Sequence, residues 1–250
     1  MKRPWFYAET IGPPGGILEL DPEEARHAGK AARLRPGDQA VISDGQGQTA
    51  TMEIQESARG RIVGRIEKTT LWPRTRPALH LASALPKGDR LATLLSMATQ
   101  IGLHSFTPLQ CERSVVPAPE AIPDRWPRIV REAAKQSHQA WLPELRASQS
   151  PTAYAQHMQG SAQRIQLDPS GAPWPTPSRE ANGPAPEAIA LLVGPEGGFT
   201  EAETEALHSQ GVVTRALHTG ILRIETAAVV GLSALTLNRV PLETETESPD

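Results

Sequence analysis

The sequence has little cysteine, few aromatic side chains and no long hydrophobic run. Its single cysteine, Cys111, excludes a disulfide within the chain and argues against a cysteine-based zinc site. No stretch reaches the roughly 20 apolar residues that a membrane-spanning helix needs. The first residues, Met1 to Trp5, lack the apolar core of a signal peptide. We therefore expect a soluble protein of a reducing compartment, the cytoplasm.

The chain also lacks a strong net charge. Its 250 residues carry a formal charge of −3, with 38% hydrophobic and 21% charged residues, which is typical of a globular protein. The charge is uneven, however: net zero over residues 1–72, +4 over 73–150 and −7 over 151–250. The middle third is therefore the candidate nucleic-acid surface, although an ordinary solvated surface also carries such a charge.

Residues 1–72 predict short strands around one helix. Asp21 is a typical helix N-cap, Pro22 suits the first helical position and Glu24 completes a capping box, so we expect a helix to about Arg33. The glycine-rich segment 44–47 predicts a hairpin turn. Strands at intervals of about 8–12 residues predict a small barrel. The proline-rich segment Trp72–Pro77 then predicts a linker.

After the linker, strands and helices alternate, which predicts an α/β domain with a parallel sheet. Ile189–Val193 is apolar throughout, as a strand covered on both faces should be. The last helix, from about Glu225 to Arg239, is apolar nearly all round, which predicts burial in a core or at an oligomer interface. Proline-rich Asp168–Pro186 predicts a long surface loop, and Glu243–Asp250 a frayed acidic tail.

The clearest candidate site is the segment Gly194–Thr200, which we call the glycine loop. It follows the apolar strand and opens a helix, whose start is marked by a capping box of Thr200 and Glu203. It matches neither the Walker loop nor the dinucleotide-binding fingerprint. The Glu196 carboxylate would repel a phosphate, so a cationic or zwitterionic ligand is favoured. The alternative is a plain strand-to-helix turn.

A second candidate site lies where the last helix begins. Arg223, Glu225 and Thr226 stand together at a helix N-terminus. Helix capping alone could explain them, with Glu225 or Thr226 accepting from free backbone N–H groups. These residues follow shortly after the glycine loop, and the two motifs together are stronger evidence for a ligand site than either is alone.

Together, the motifs GPEGGF and ILR-x-ETA resemble the RsmE family of ribosomal RNA methyltransferases, within the SPOUT superfamily. Further matches, in chain order, are Leu34-Arg35-Pro36-Gly37-Asp38, Asp44-Gly45, Lys87-Gly88-Asp89, Arg113-Ser114 and Glu132-Ala133-Ala134-Lys135-Gln136-Ser137. The chain departs from the family pattern at Met97, Gln100, Gln139, His218 and Gly220.

The resemblance implies an α/β fold with two domains. A PUA-like RNA-binding β-barrel over residues 1–72 would precede a SPOUT methyltransferase domain with a trefoil knot over 73–242, and residues 243–250 would be a disordered tail. It implies a homodimer that binds S-adenosyl-L-methionine. Its substrate would be 16S rRNA within the small ribosomal subunit, methylated at N3 of one uridine in the decoding region. The departures leave two alternatives: an RNA-binding factor with reduced or lost turnover, or methylation of a different rRNA nucleotide.

The resemblance also assigns residues to the cofactor. They are Leu192, Gly194, Pro195, Glu196, Gly197, Gly198, Leu217, Ile221, Leu222, Arg223, Thr226 and Ala227. The first loop of the knot would lie near Leu167 and Asp168.

Catalysis and RNA binding are assigned to other side chains. Uridine N3 must lose its proton, and the charge that develops spreads to O2 and O4, where a fixed cation would help. Arg223 is the candidate for that role, and Glu225 is a weaker candidate base, since a carboxylate at a helix N-terminus suits a cap better. We expect no metal site, and we expect Cys111 to be a small buried residue. The expected RNA contacts are His27, Arg33, Arg35, Arg113, Arg128 and Arg131.

Overall fold

The computed structural model describes residues 3–29, 33–58, 60–175 and 186–237. The predicted tail, Glu243–Asp250, lies outside the described residues. The chain forms two compact units: Met1–Arg74 with Pro127–Leu142, and Thr75–Trp126 with Pro143–Asp250. The chain therefore enters the second unit, returns to the first for residues 127–142, and then completes the second.

The first unit is built on a five-stranded sheet in the order β1-β3-β4-β5-β2. Phe6, Ile42 and Met52 are fully buried in its core. The predicted strands at residues 51–54 and 61–66 are confirmed, because both lie within the long β4–β5 hairpin. Its elements are β1 Trp5–Tyr7, β2 Ile17–Glu19, α1 Pro22–His27, β3 Gln39–Ser43, β4 Gln48–Ala58 and β5 Arg61–Leu71.

The first helix is shorter than the sequence predicts. The Asp21 carboxylate caps it as expected, accepting from the backbone N–H groups of Glu23 and Glu24. The helix ends at His27, however, and Arg33 has a positive φ of 53°. The prediction of a helix to Arg33 is wrong, because a left-handed backbone cannot continue a right-handed helix.

Helix α3, Arg125–Ser137, carries a buried ion pair within the first unit. The Nζ atom of Lys135 lies 2.6 Å from Glu24 Oε1 on α1 and 2.6 Å from Glu132 Oε1 on its own helix. The side chains of Lys135 and Glu24 are only 7% and 4% exposed. Each buried charge therefore depends on its partner for stabilisation.

The second unit is built on a six-stranded sheet in the order β11-β9-β10-β6-β7-β8. All five strand pairs are parallel, so the predicted α/β unit with a parallel sheet is confirmed. Its strands are β6 Ala78–Ser83, β7 Ser105–Pro108, β8 Glu144–Leu145, β9 Gln163–Pro173, β10 Ala188–Val193 and β11 Val213–Ala216. The helices are α2 Arg90–Gln100, α4 Pro151–His157, α5 Glu201–Ser209 and α6 Ile224–Thr236.

The loop predicted over Asp168–Pro186 begins later than expected. Residues up to Pro173 belong to strand β9, so the prediction is wrong there, while residues 176–185 lie outside the described part. Pairing of β9 with β10 stops at Leu167, and beyond it β9 pairs with β11 alone. Proline is tolerated there because a strand with one open side needs fewer N–H donors.

Helix α6 is not buried on every side within one chain. Its inner face is Ile224, Ala228, Gly231 and Leu232, whereas Val230 is 43% exposed. The prediction of burial within the core all round is therefore wrong, and an interface remains the other alternative given by the sequence. Across the described residues, no helix has the length and apolarity to cross a bilayer.

We expect the buried ion pair to contribute strongly to the stability of the first unit. Lys135→Met should lower the free energy of unfolding by about 3–5 kcal/mol, since the Glu24 carboxylate would stay buried without its cation. Arg61→Met is the control, because Arg61 and its partner Glu19 are half exposed and the loss should be much smaller. Urea denaturation measures both, and equal losses would contradict this account.

We also expect Cys111 to be chemically inert in the native protein. The residue is 1% exposed. Burial, with a further contribution from the charge of Glu203, raises the pKa of its thiol to about 12. Because the thiolate is the reactive form, labelling by a thiol reagent at pH 8 should be far slower in native than in urea-unfolded protein. Equally fast labelling in both states would refute the assignment.

Candidate functional site

A cavity of about 250 Å³ lies within the second unit, beside the middle of strand β9 and the carboxyl ends of strands β10 and β11. This is the edge at which open parallel sheets bind their ligands. Three segments line the cavity: residues 167–169 of β9, where its pairing with β10 stops, the glycine loop with Val193 before it, and the stretch that joins β11 to α6. The lining residues are Leu167, Asp168, Pro169, Val193, Gly194, Pro195, Glu196, Gly197, Gly198, Leu217, His218, Gly220, Ile221, Leu222, Ile224 and Ala227.

The glycine loop is a tight turn followed by a capped helix. The N–H of Gly198 donates to the carbonyl of Pro195 over 2.8 Å, and Gly198 has a φ of 69°, a conformation that glycine adopts without strain. Thr200 then caps α5. Its hydroxyl accepts from Glu203 N–H at 3.2 Å, and its own N–H donates to Glu203 Oε2 at 2.8 Å. The predicted capping box is confirmed.

The loop is also held by the segment that follows β7. The guanidinium of Arg113 donates through Nη1 to the carbonyls of Gly197, at 2.8 Å, and Phe199, at 3.3 Å. The backbone N–H of Glu112 donates to Glu203 Oε1 at 2.9 Å. Both oxygens of the buried Glu203 carboxylate are thereby used, one inside the capping box and one outside it.

The opposite wall of the cavity leads into helix α6. The N–H of Gly220 donates to His218 Nδ1 at 2.8 Å, which closes a small turn at the cavity surface. Arg223 is the N-cap of α6 with extended backbone, and its carbonyl accepts from Ala227 N–H at 2.8 Å. No side chain of the described residues caps this helix, so the predicted capping by Glu225 or Thr226 is wrong.

Glu225 faces helix α2 instead. Its Oε1 atom lies 3.8 Å from Nη1 of Arg90, and its side chain is 13% exposed. Its Oε2 atom is buried and has no hydrogen-bond partner in the described part of the chain. Arg90 in turn donates through Nε to the carbonyl of Lys87, which belongs to the Lys87-Gly88-Asp89 motif.

The charges of the cavity are acidic. Asp168 and Glu196 line it, and among the described residues no lysine or arginine does. Asp168 is held in the middle of β9, because its Oδ1 atom accepts from the N–H of Ser170 at 2.8 Å and from its hydroxyl at 2.6 Å. Two carboxylates in the described wall disfavour a phosphate and favour a cationic ligand. Among the described residues, no group of His, Cys, Asp and Glu side chains could hold a metal ion.

The structure brings most of the predicted cofactor residues to this cavity. Those that line it are Gly194, Pro195, Glu196, Gly197, Gly198, Leu217, Ile221, Leu222 and Ala227. Three do not line it: Leu192 is fully buried in β10, while Arg223 and Thr226 are exposed at the start of α6. Leu167 and Asp168, placed only loosely from the sequence, are part of the wall.

Sequence reasoning missed other lining residues, including Pro169 and Ile224. Pro169 was missed because the proline-rich composition of its segment predicted a surface loop. The alternation of polar and apolar residues from Arg164 to Leu167 was the signal for a strand that leads to this point.

The residues predicted to contact RNA have different surroundings. Arg35 and Arg128 are exposed, and so is Arg33. The guanidinium of Arg131 stacks over the ring of Tyr7, 4.1 Å from its centroid. The side chain of His27 lies outside the described part of the structure.

Comparison with known proteins gives two domain matches. Residues 74–236 match the family model of an RNA methyltransferase domain, and residues 20–67 match that of an RNA methyltransferase PUA domain. The chain is 32% identical to ribosomal RNA small subunit methyltransferase E of Mycobacterium bovis, over 92% of this chain and 90% of that protein. It is also 32% identical to the protein of the same name from Bacillus subtilis, over 85% of this chain and 87% of that protein.

Solved structures agree with these matches. Ribosomal RNA small subunit methyltransferase E of Neisseria gonorrhoeae, bound to S-adenosyl methionine, has a TM-score of 0.83 and 25% identity, covering 94% of this chain and 98% of that one. A putative methyltransferase of Legionella pneumophila in complex with the same cofactor has a TM-score of 0.80 and 27% identity, covering 95% and 98%. The chain therefore belongs to the ribosomal RNA small subunit methyltransferase E family.

Proposed function

We propose that this chain transfers a methyl group from S-adenosyl-L-methionine to N3 of one uridine in the decoding region of 16S rRNA, within the small ribosomal subunit. The observation that carries the proposal is the acidic, glycine-lined cavity at the carboxyl edge of the parallel sheet. Family membership gives the reaction class, and the ribosomal substrate implies a cytoplasmic location.

The donor set of the cavity fits this cofactor. S-adenosylmethionine supplies an electrophilic methyl group on a positively charged sulfur, and it also carries an ammonium group. Asp168 and Glu196 provide negative charge for such a ligand, and the absence of lysine and arginine from the described wall removes repulsion. Leu167, Leu217 and Leu222 provide apolar surface for the uncharged parts of the ligand.

Arg223 is the residue that we propose to act on the substrate. It lies between Leu222 and Ile224, which both line the cavity, and its side chain is exposed and makes no capping bond. A guanidinium at this position can stabilise the negative charge that develops on uracil O2 and O4 as N3 loses its proton. Glu225 is directed to Arg90 and does not line the cavity, so its geometry supports a base role less well.

RNA contacts are proposed for the basic residues of the first unit. Arg33, Arg35 and Arg128 are exposed there and available to phosphate groups. Arg131 is proposed with them, although its stacking on Tyr7 uses one face of its guanidinium. His27 remains in the proposal on the sequence resemblance alone.

The finer architecture is also proposed. The three segments that converge on the cavity are those that a SPOUT trefoil knot would interlace, and the five-stranded sheet is the basis of a PUA-like barrel. We propose a homodimer, supported by apolar positions that one chain leaves exposed on two helices in mutual contact: Met97 on α2 and Val230 on α6. The proposed domain limits stay at residues 1–72, 73–242 and 243–250.

The departures from the family pattern fall in three places: on α2, just after α3, where Gln139 lies, and in the stretch that joins β11 to α6. Met97 is 45% exposed on α2, and Gln100 lies on the same helix with its Nε2 atom donating to Ser96 Oγ at 3.2 Å. Neither residue lines the cavity, whereas His218 and Gly220 do. The contact between His218 and the Gly220 N–H keeps that wall compact, which favours an enzyme that retains cofactor binding.

The proposed reaction predicts a block to reverse transcription, because a methyl group on N3 occupies the pairing edge of uracil. Unmodified small subunits incubated with the protein and S-adenosylmethionine should give one new stop in the decoding region, absent without cofactor. Cofactor binding to the free protein is measured in parallel by isothermal titration.

The other outcomes identify the alternatives. Cofactor binding without a stop would indicate a different nucleotide. Failure of both assays would indicate an RNA-binding factor without turnover.

Arg223→Ala should abolish methylation while leaving the dissociation constant for S-adenosylmethionine within a few-fold of wild type, since Arg223 does not line the cavity. Arg76→Ala is the control. Its exposed guanidinium pairs with Glu187 before β10 begins, at the opposite edge of the sheet. Near-normal turnover by Arg223→Ala would exclude the proposed role.

A further inference from the structure

Arg113 was expected at an RNA phosphate, yet its guanidinium is engaged with the glycine loop. Nη1 donates to the carbonyl oxygens of Gly197 and Phe199, which lie on either side of Gly198. We propose that Arg113 is a positioning residue that fixes the glycine loop in the conformation able to bind cofactor. This inference rests on the proposed function, because it takes the loop to be part of a cofactor site.

The contacts of Arg113 complete the fixation of two peptide groups. In the peptide between Gly197 and Gly198, the carbonyl accepts from Arg113 and the N–H donates to the carbonyl of Pro195 at 2.8 Å. In the peptide between Phe199 and Thr200, the carbonyl again accepts from Arg113 and the N–H donates to Glu203 at 2.8 Å. Each of these two peptide groups is thus held through both its carbonyl and its N–H, and Arg113 is the donor to both carbonyls.

The support for Arg113 is itself built into the fold. Cys111 and Ser114 close a turn around it: Ser114 Oγ accepts from Cys111 N–H at 3.0 Å, and the Cys111 carbonyl accepts from Ser114 N–H at 3.1 Å. The next N–H, of Glu112, donates to the same Glu203 that closes the capping box. The turn and the start of α5 are therefore both bonded to the buried Glu203 carboxylate, and this fixes the position of the Arg113 guanidinium relative to the glycine loop.

Adjacent glycines make such fixation necessary. Gly197 and Gly198 have wide conformational freedom, and fixing each of them in one backbone conformation costs conformational entropy. If the loop were free, that cost would be met on cofactor binding and would weaken affinity. Because the Arg113 contacts are partly exposed, we expect each to contribute at the low end for a charged hydrogen bond.

The test uses the full chain without RNA. Arg113→Ala should raise the dissociation constant for S-adenosylmethionine, measured by isothermal titration, by roughly tenfold. Arg113→Lys should recover part of the loss, since one ammonium reaches a carbonyl but lacks the planar geometry of a guanidinium. In separate steady-state kinetics, with unmodified small subunits as the methyl acceptor, the KM for cofactor should rise more than kcat falls.

Arg164→Ala is the matched control. Its guanidinium likewise donates to a backbone carbonyl in the second unit, that of Ala155 at 2.9 Å, but Arg164 does not line the cavity. The cofactor dissociation constant should be unchanged in this variant even where its thermal stability falls. A rise equal to that of Arg113→Ala would show a general effect of destabilisation and overturn the proposal.

Hydrogen exchange supplies a readout that needs no cofactor. Amides of residues 194–200 should exchange faster in Arg113→Ala, while those of the parallel strands stay as in wild type. If Arg113→Ala left the cofactor affinity unchanged but made RNA binding weaker and less dependent on salt, Arg113 would be a phosphate contact, and the positioning role would be overturned. If wild type itself bound no cofactor, the proposed function would fail, but the exchange result would still decide whether Arg113 orders the loop.

Discussion

The common direction of the six strands in the second unit is the constraint on which the rest of the site depends. With all five pairs parallel, the strands run to the same edge of the sheet, and the segments after β10 and β11 converge there with residues 167–169 of β9. Residues from 167 to 227, separate in the sequence, thereby line one cavity. The buried strand β10 lies at the centre of this arrangement and delivers the glycine loop.

A ligand site formed mainly by backbone groups needs those groups held in one conformation. Glycines do not provide this themselves, because their backbone is the most flexible. Here the order comes from outside the loop. Glu203 accepts from Thr200 on one oxygen and from Glu112 on the other, and Arg113 holds two loop carbonyls. The sequence segments that resemble the family at 113–114 and at 194–200 are thus parts of one hydrogen-bonded structure.

Much of the fold follows from local patterns. The helix cap at Asp21, the capping box at Thr200, the hairpin turn at residues 44–47 and the apolar strand β10 were all predictable, because each depends on residues close in sequence. The errors arose where a distant partner decides. β9 was interpreted as a loop beyond Leu167 because its pairing with β11 is not encoded locally. The outer face of α6 is open in a single chain, which leaves an oligomer interface, the other alternative stated from the sequence.

The motifs alone were enough to identify the family, the reaction class and most of the residues around the cavity, because a motif is recognised from residue types and their spacing. The roles of the charged side chains became clear only from the folded chain. It engages Arg113 with the glycine loop, turns Glu225 toward Arg90 and buries Lys135 with Glu24 in the first unit. The physical reason is that a charge is assigned its role by the groups near it in space and by its exposure to water, and both depend on contacts between residues far apart in the chain.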